Sequence, residues 1–128
     1  MAFIIDTNVA IHMRDMTSDV IAKVDALDAA VMMSVVTRVE LDGGIHRNPA
    51  LAAVRRMRVD AILAAIPVLA FDGAAASAYR LIVESTGYSR RKILDRMIAA
   101  QAIVQRATLV TMNAADFSDI PGLQLLRW

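Results

Sequence analysis

The sequence predicts an α/β protein: a three-layer α/β/α sandwich built on a central, mainly parallel sheet of four to five strands. Three observations carry this. Short apolar runs without polar alternation, such as AFII at 2–5 and TLVT at 108–111, read as strands covered on both faces. Longer segments between them combine helix-forming residues with apolar positions at helical spacing. Strand and helix alternate along the chain, which within one sheet means parallel pairing through right-handed crossovers. No internal repeat, low-complexity tract or Pro/Gly/Ser linker interrupts the 128 residues, so a single domain, 1–128, is expected.

Each element follows from local chemistry. AFII ends at Asp6-Thr7-Asn8, three poor strand residues that are good helix caps, so a helix should begin there. Residues 7–28 are helix-compatible in two pieces, divided near Thr17-Ser18. Val31 to Val36 is the second strand, and Thr37 to Arg47 the helix after it. Asn48-Pro49 turns the chain and starts another helix. Residues 50–66, rich in Ala, Arg, Met and Leu, are strongly helical until Pro67 stops them. VLAF at 68–71 is a short third strand, and Gly73 to Thr86 is again helical. Gly87-Tyr88-Ser89 turns into a helix over Ile93 to Arg106, which precedes TLVT; LQLL near the end is a fifth, edge strand.

Composition narrows the class. The hydrophobic fraction is 57% with no cysteine, and the mean hydropathy is +0.48. That surplus implies a sheet covered on both faces or an apolar surface kept for a partner. The longest apolar stretch, Ala61 to Phe71, is broken by Pro67 and too short to span a bilayer. Without a leader-like N-terminus, disulfide framework or thiolate metal site, a cytoplasmic location is expected. Net charge is only +1, yet among the 14 basic residues only Lys23 and Lys92 are lysines. Arginine's planar fork suits phosphate recognition. Arg55, Arg56 and Arg58 form one cluster, and Arg90 and Arg91 another; each alone reads as a solvated face, both together as a nucleic-acid footprint.

The acids fall at revealing places. Asp6 ends the first strand, Glu40 lies in the first turn after the second, and Asp95 in the first turn of the helix before the fourth. Asn113 and Asp116 follow the fourth strand. In a parallel sheet all of these belong to the carboxyl rim, where ligands bind. Each also has a plainer role. Asp6 and Asp116 suit caps or turns, Asp95 complements the helix dipole, and Thr37-Arg-Val-Glu40 matches a capping box. Four carboxylates on one rim need a counter-charge, and a hard divalent cation, Mg²⁺ or Mn²⁺, supplies it. Asp42, Asp72 and Asp119 read as solvated turn residues, and His12 and His46 as isolated. No Ser–His or Cys–His pairing offers a covalent route.

IIDTNVAI, SVVTRVELDGG, ILDRMIAAQAIVQRATLVTMNAADF and IPGLQLLRW, in this order and spacing, resemble the PIN-domain family, and within it the VapC-type toxins of bacterial type II toxin–antitoxin pairs. The resemblance runs over essentially the whole chain, although residues 45–85 contribute only helical character and length. It implies a metal-dependent endoribonuclease whose acidic quartet is Asp6, Glu40, Asp95 and Asp116. Asp6 and Asp95 would be the metal ligands, with Thr7 and Asn113 as polar supports. It further implies an RNA substrate, an antitoxin partner and a homodimer. The alternatives are a PIN-like nuclease acting on DNA or in RNA processing, a haloacid-dehalogenase-like phosphatase, or a non-catalytic partner-binding domain. The phosphatase needs an acid two residues after the first aspartate, where this chain has Asn8, and a later Asp-Asp pair, which is absent.

Overall fold

The computed structural model describes residues Met1–Trp128. Five parallel strands form one sheet in the order β3-β2-β1-β4-β5, where β1 is Ala2–Ile5, β2 Ala30–Ser34, β3 Val68–Leu69, β4 Thr108–Thr111 and β5 Gln124–Arg127. β1 is central, with Ile4 aligned to Met32 on one side and to Leu109 on the other. Being central explains why AFII carries no polar alternation. Phe3 and Ile5 join one apolar cluster and Ile4 the other, so every side chain of the strand's interior meets a helical layer.

The helices are α1 Thr7–Arg14, α2 Ser18–Asp25, α3 Val35–Ile45, α4 Ala52–Ala65, α5 Gly73–Thr86 and α6 Ile93–Gln105. The first cluster packs Val9, Val20, Val24, Leu41, Val59 and Ile62 against one sheet face, from α1 through α4. The second packs Ile82, Ile98, Ala99 and Ala102, from α5 and α6, against the other. Alanines in α6 let that helix lie close to the sheet, where a larger residue would hold it off. No helix is long and apolar enough to cross a membrane.

Five expectations shift. The second strand stops at Ser34, not Val36, because the Ser34 hydroxyl accepts the Val36 N–H at 2.9 Å and caps α3 there. Thr37 is therefore inside the helix and fully buried, and the Thr37–Glu40 capping box does not form. The third strand is only Val68–Leu69, since the main chain leaves the sheet at Ala70. Asp42, expected in a turn, lies within α3 and pairs with Arg38 at 3.5 Å; the helix runs on through Gly43 and Gly44. Asp72 caps α5 by accepting the Ala75 N–H at 2.9 Å.

Candidate active site

β2 and β3 lie on one side of β1, β4 and β5 on the other, so the winding direction reverses between β1 and β4. The chain leaves β1 into α1 on one face of the sheet and leaves β4 into a short turn whose Phe117 and Ile120 pack on the other, and the crevice between them is the expected ligand site of an open parallel fold. Asp6 and Thr111 stand at its two lips. The Asp6 N–H continues the ladder to the Val110 carbonyl at 2.9 Å, which sets its Cα at the rim. Its carboxylate is only 4% exposed and accepts two bonds, from the Thr7 N–H to Oδ1 at 2.8 Å and from the Thr111 hydroxyl to Oδ2 at 2.9 Å. Asp6 is thus both the cap of α1 and a member of the crevice.

Thr111 is in turn oriented by the Asn113 N–H, which donates to its hydroxyl at 3.0 Å. Asn113, expected as a polar support, gives that support through its main chain; its side chain is exposed and makes no hydrogen bond. On the other lip, the buried Thr7 hydroxyl donates to Glu40 Oε1 at 2.8 Å. A hydroxyl has one proton, so the Thr37 hydroxyl 3.0 Å away must donate to Thr7. Glu40 sits in the second turn of α3, not the first, because that helix begins at Val35, two residues earlier than the sequence suggests. Its orientation comes from Thr7.

Asp95, in the first turn of α6, completes the rim with Asp116, in the 3-10 turn Ala114–Asp116 after β4. Neither carboxylate accepts a hydrogen bond. Burial pushes the Asp95 carboxyl up to about 6, and the charges of Asp6, Asp116 and Glu40 push the same way, against the opposing pull of Lys92. Burial also raises Asp6; the bonds from Thr111 and Thr7 oppose it, while Asp116 adds to it. All four acids therefore share one electrostatic field. No three of them stand together closely enough to hold a metal ion with their side chains as placed. Two are tethered, Asp6 by Thr111 and the Thr7 N–H, Glu40 by Thr7, and like charges separate. The donor set nevertheless fits a hard divalent cation in kind: carboxylate oxygens, a field short of positive charge, and two carboxylates with all lone pairs free.

Sequence reasoning missed three polar residues that build this rim, and a buried arginine at the far end of α1. Thr111 gave no signal beyond standing at a strand end. Gln101, in the middle of IAAQA, is a polar residue on an otherwise apolar helix face. Its amide nitrogen donates to the Leu69 and Ala70 carbonyls, each at 3.1 Å, and its oxygen accepts from the Ser34 hydroxyl, so α6 clasps the ends of β2 and β3. Arg96, 3% exposed, donates to the Gly87 carbonyl at 2.7 Å and lies 3.7 Å from Asp119. It ties the loop before Asp95 and the turn after Asp116 to one helix, so Asp119 is a partner, not a free turn residue. Arg14, 6% exposed, is bound by Asp15.

The predicted arginine clusters separate. Arg55 and Arg58 are half-buried and donate to main-chain carbonyls of Gly44 (2.8 Å) and Arg14 (3.4 Å). Arg56 is exposed on the same helix; Arg90 and Arg91 are exposed in the turn that leads into α6, just ahead of Asp95.

The family model of the PIN domain matches residues 3–123. No curated protein matches the chain. Among solved structures, the chain is similar to VapBC2 from Rickettsia felis bound to a DNA fragment from their promoter: TM-score 0.88, 23% identity, covering 100% of this chain and 99% of that one. It is similar to FitAcB from Neisseria gonorrhoeae, at TM-score 0.79 and 26% identity over 98% and 96% of the two chains. VapBC-5 of Mycobacterium tuberculosis, a member of the VapBC family of toxin–antitoxin systems, matches at TM-score 0.74 and 25% identity over 99% and 98%. A parallel sheet with its winding reversed beside Asp6, four acids in one field, and a family match over nearly the whole length lead to one conclusion: the chain belongs to the PIN domain family.

Proposed function

We propose that the protein is the toxin of a type II toxin–antitoxin pair, an Mg²⁺-dependent endoribonuclease. PIN domains as a family are nucleases. The observation that carries the reading is the convergence of Asp6, Glu40, Asp95 and Asp116 on one crevice, where burial and the other three acids push the Asp95 carboxyl up to about 6 with only Lys92 pulling against them. Asp6 and Asp95 would hold the ion, with Mn²⁺ as the nearest substitute; Glu40 and Asp116 complete the negative field. When bound, the cation polarises a phosphoryl oxygen and makes water acidic enough to attack phosphorus in line.

The chain's own residues do the rest. Thr111 and the Thr7 N–H fix the Asp6 carboxylate in place and oppose the rise that burial imposes on it. Thr7 aims Glu40 into the crevice. Asp116, half-buried and without a hydrogen bond, takes the proton from the attacking water. Arg90 and Arg91, and on the far helix Arg55, Arg56 and Arg58, supply positive charge for the RNA backbone.

The partner is an antitoxin whose apolar segment lies in the cleft between α1, α2 and α4. That cleft has about 460 Å³ and is lined by Met13, Met16, Ile21, Val24 and Ile62 among others. An arginine of the partner is the natural plug for the carboxylates. A homodimer would cover the apolar hollow of Val35, Val36, Val39, Leu94 and Met97, which adjoins Glu40. A cytoplasmic location follows from this reading.

The test is cleavage of a tRNA panel, with single-stranded DNA alongside, by purified protein. Cleavage of RNA is expected with Mg²⁺, not with EDTA, and to fall at least a hundredfold in Asp95→Asn, purified identically to control for contaminating nucleases. Full activity in EDTA, or in folded Asp95→Asn, would overturn the reading.

A further inference from the structure

Beside the carboxylate crevice, on the far side of Glu40, lies a second pocket of about 580 Å³, where Arg55 meets two arginines that the reading above leaves without a role. Ile11 is the one hydrophobic residue in its lining. Arg14, Arg47 and Arg55 bring three guanidinium groups to it, from α1, from the turn after α3 and from α4. Asn48 lines it too, with its amide nitrogen unpaired and its oxygen held by the Ala50 N–H at 3.1 Å.

The pocket is assembled, not incidental. Arg14 is almost fully buried, and Asp15 holds its Nε at 3.0 Å and one Nη at 3.2 Å. Its other Nη makes no hydrogen bond, yet is not among the sealed-off polar atoms of the protein. Gly44 makes room for it: a Cβ at that position would stand 2.9 Å from this nitrogen. Arg55 donates to the Gly44 carbonyl at 2.8 Å from one nitrogen, which leaves the other end of its fork free. Arg47 is exposed and has no partner. Against these three cations stand Asp15, already paired, and Glu40, already engaged by Thr7. Three guanidinium groups against two carboxylates leave a positive surplus, and the free donors, the whole Arg47 fork and one end each of Arg14 and Arg55, suit phosphate oxygens.

We propose that this pocket seats a backbone phosphate of the nucleic-acid strand, next to the phosphodiester that lies over Asp6 and Asp95, and so fixes which bond is presented to the carboxylates. The proposal rests on the nuclease reading for its second half only; the phosphate site itself stands on the arginines. Glu40 is the wall the two sites share. A peptide carboxylate from a protein partner would be satisfied by the Arg47 fork alone; the free Nη of Arg14, the free end of Arg55 and room for a whole nucleotide favour a phosphodiester.

The experiment is fluorescence anisotropy with a labelled 12-nucleotide single-stranded RNA, and the same DNA sequence, in EDTA. The parent protein is Asp95→Asn, so that nothing is cut. Arg47→Gln and Arg55→Gln should each weaken RNA binding roughly tenfold and flatten the salt dependence by about 0.7 in log–log slope per lost contact. Gly44→Ala, which displaces Arg14, should act in the same direction. Arg80→Gln, exposed on α5, should change neither. A single methylphosphonate walked along the RNA should erase the Arg47 effect at one position. Equal loss with Arg80→Gln, or no loss with the pocket variants, overturns the site. Variants that keep RNA binding but release a co-expressed partner assign the pocket to a protein carboxylate and overturn it too. Wild-type cleavage is run in parallel. Cleavage with unaffected binding leaves the nuclease and removes the pocket; arginine-dependent binding without cleavage does the reverse. Equal arginine-dependent affinity for the DNA supports a site that holds the phosphate alone.

Discussion

Single atoms decide what the carboxylates can do. Glu40 matched a capping box in the sequence, but Thr37 is buried inside α3 and its hydroxyl serves Thr7, so Glu40 has no capping duty. Glutamine in its place still accepts from Thr7 and lacks only the charge. Glu40→Gln should therefore leave metal-free stability level or slightly higher, since one repulsive charge is gone. Wild type should gain about 2.7 kcal/mol from Mg²⁺ at a hundredfold excess over its dissociation constant, and the variant should lose most of that gain. Thermal melts with and without Mg²⁺ check this. Thr111 is the opposite case, a residue with no sequence signal and a buried charge to satisfy. Thr111→Val removes the only side-chain donor to Asp6 and orphans the Asn113 N–H, so it should cost about 1–3 kcal/mol in urea denaturation. Thr111→Ser should restore most of it.

At the level of elements, the start of α3 is the hinge of the site. SVVTRVE offers two cap residues, Ser34 and Thr37, and the β-branched run between them reads as more strand. What chooses is the neighbour. Ser34 is buried, pairs with Leu69 in register, caps Val36 and donates to Gln101. A helix that begins at Val35 turns Thr37 and Glu40 toward Thr7. Ser34→Ala should cost about 2–3 kcal/mol, from the lost cap and the orphaned Gln101 oxygen, and should lower Mg²⁺ affinity although Ser34 touches no carboxylate. Unchanged Mg²⁺ affinity in a folded, destabilised variant would show that Glu40 does not depend on the helix start. The arginine clusters divide for a similar reason. Arg55 and Arg58, three apart on α4, face α1 and α3 and spend donors on carbonyls, whereas Arg56 faces solvent.

Across the whole molecule the four acids act as one charge, and stability should register it. A carboxyl whose folded-state value is raised binds its proton more tightly when folded. Between the ordinary 3.8 and about 6, then, the folded state holds more protons than the unfolded one, and stability falls as pH rises through that window. Metal-free protein should melt higher at pH 5 than at pH 7 from this source, Asp95→Asn should flatten the difference, and Mg²⁺ at pH 7 should restore what ionisation removed. A flat metal-free profile in wild type would mean that the acids do not share a field. The sequence by itself determined the layers, the parallel sheet, the helix and strand series and the rim positions of Asp6, Asp95 and Asp116, because strand ends and first turns are local events written in caps and apolar runs. Only the tertiary structure decided the order β3-β2-β1-β4-β5, and with it the crevice between β1 and β4 where Thr111 meets Asp6 across 105 residues of chain. It also decided where α3 starts and which arginines gather beside Glu40. Those depend on contacts between residues far apart in sequence, and neither propensity nor spacing encodes which distant partner a buried hydroxyl or guanidinium will find.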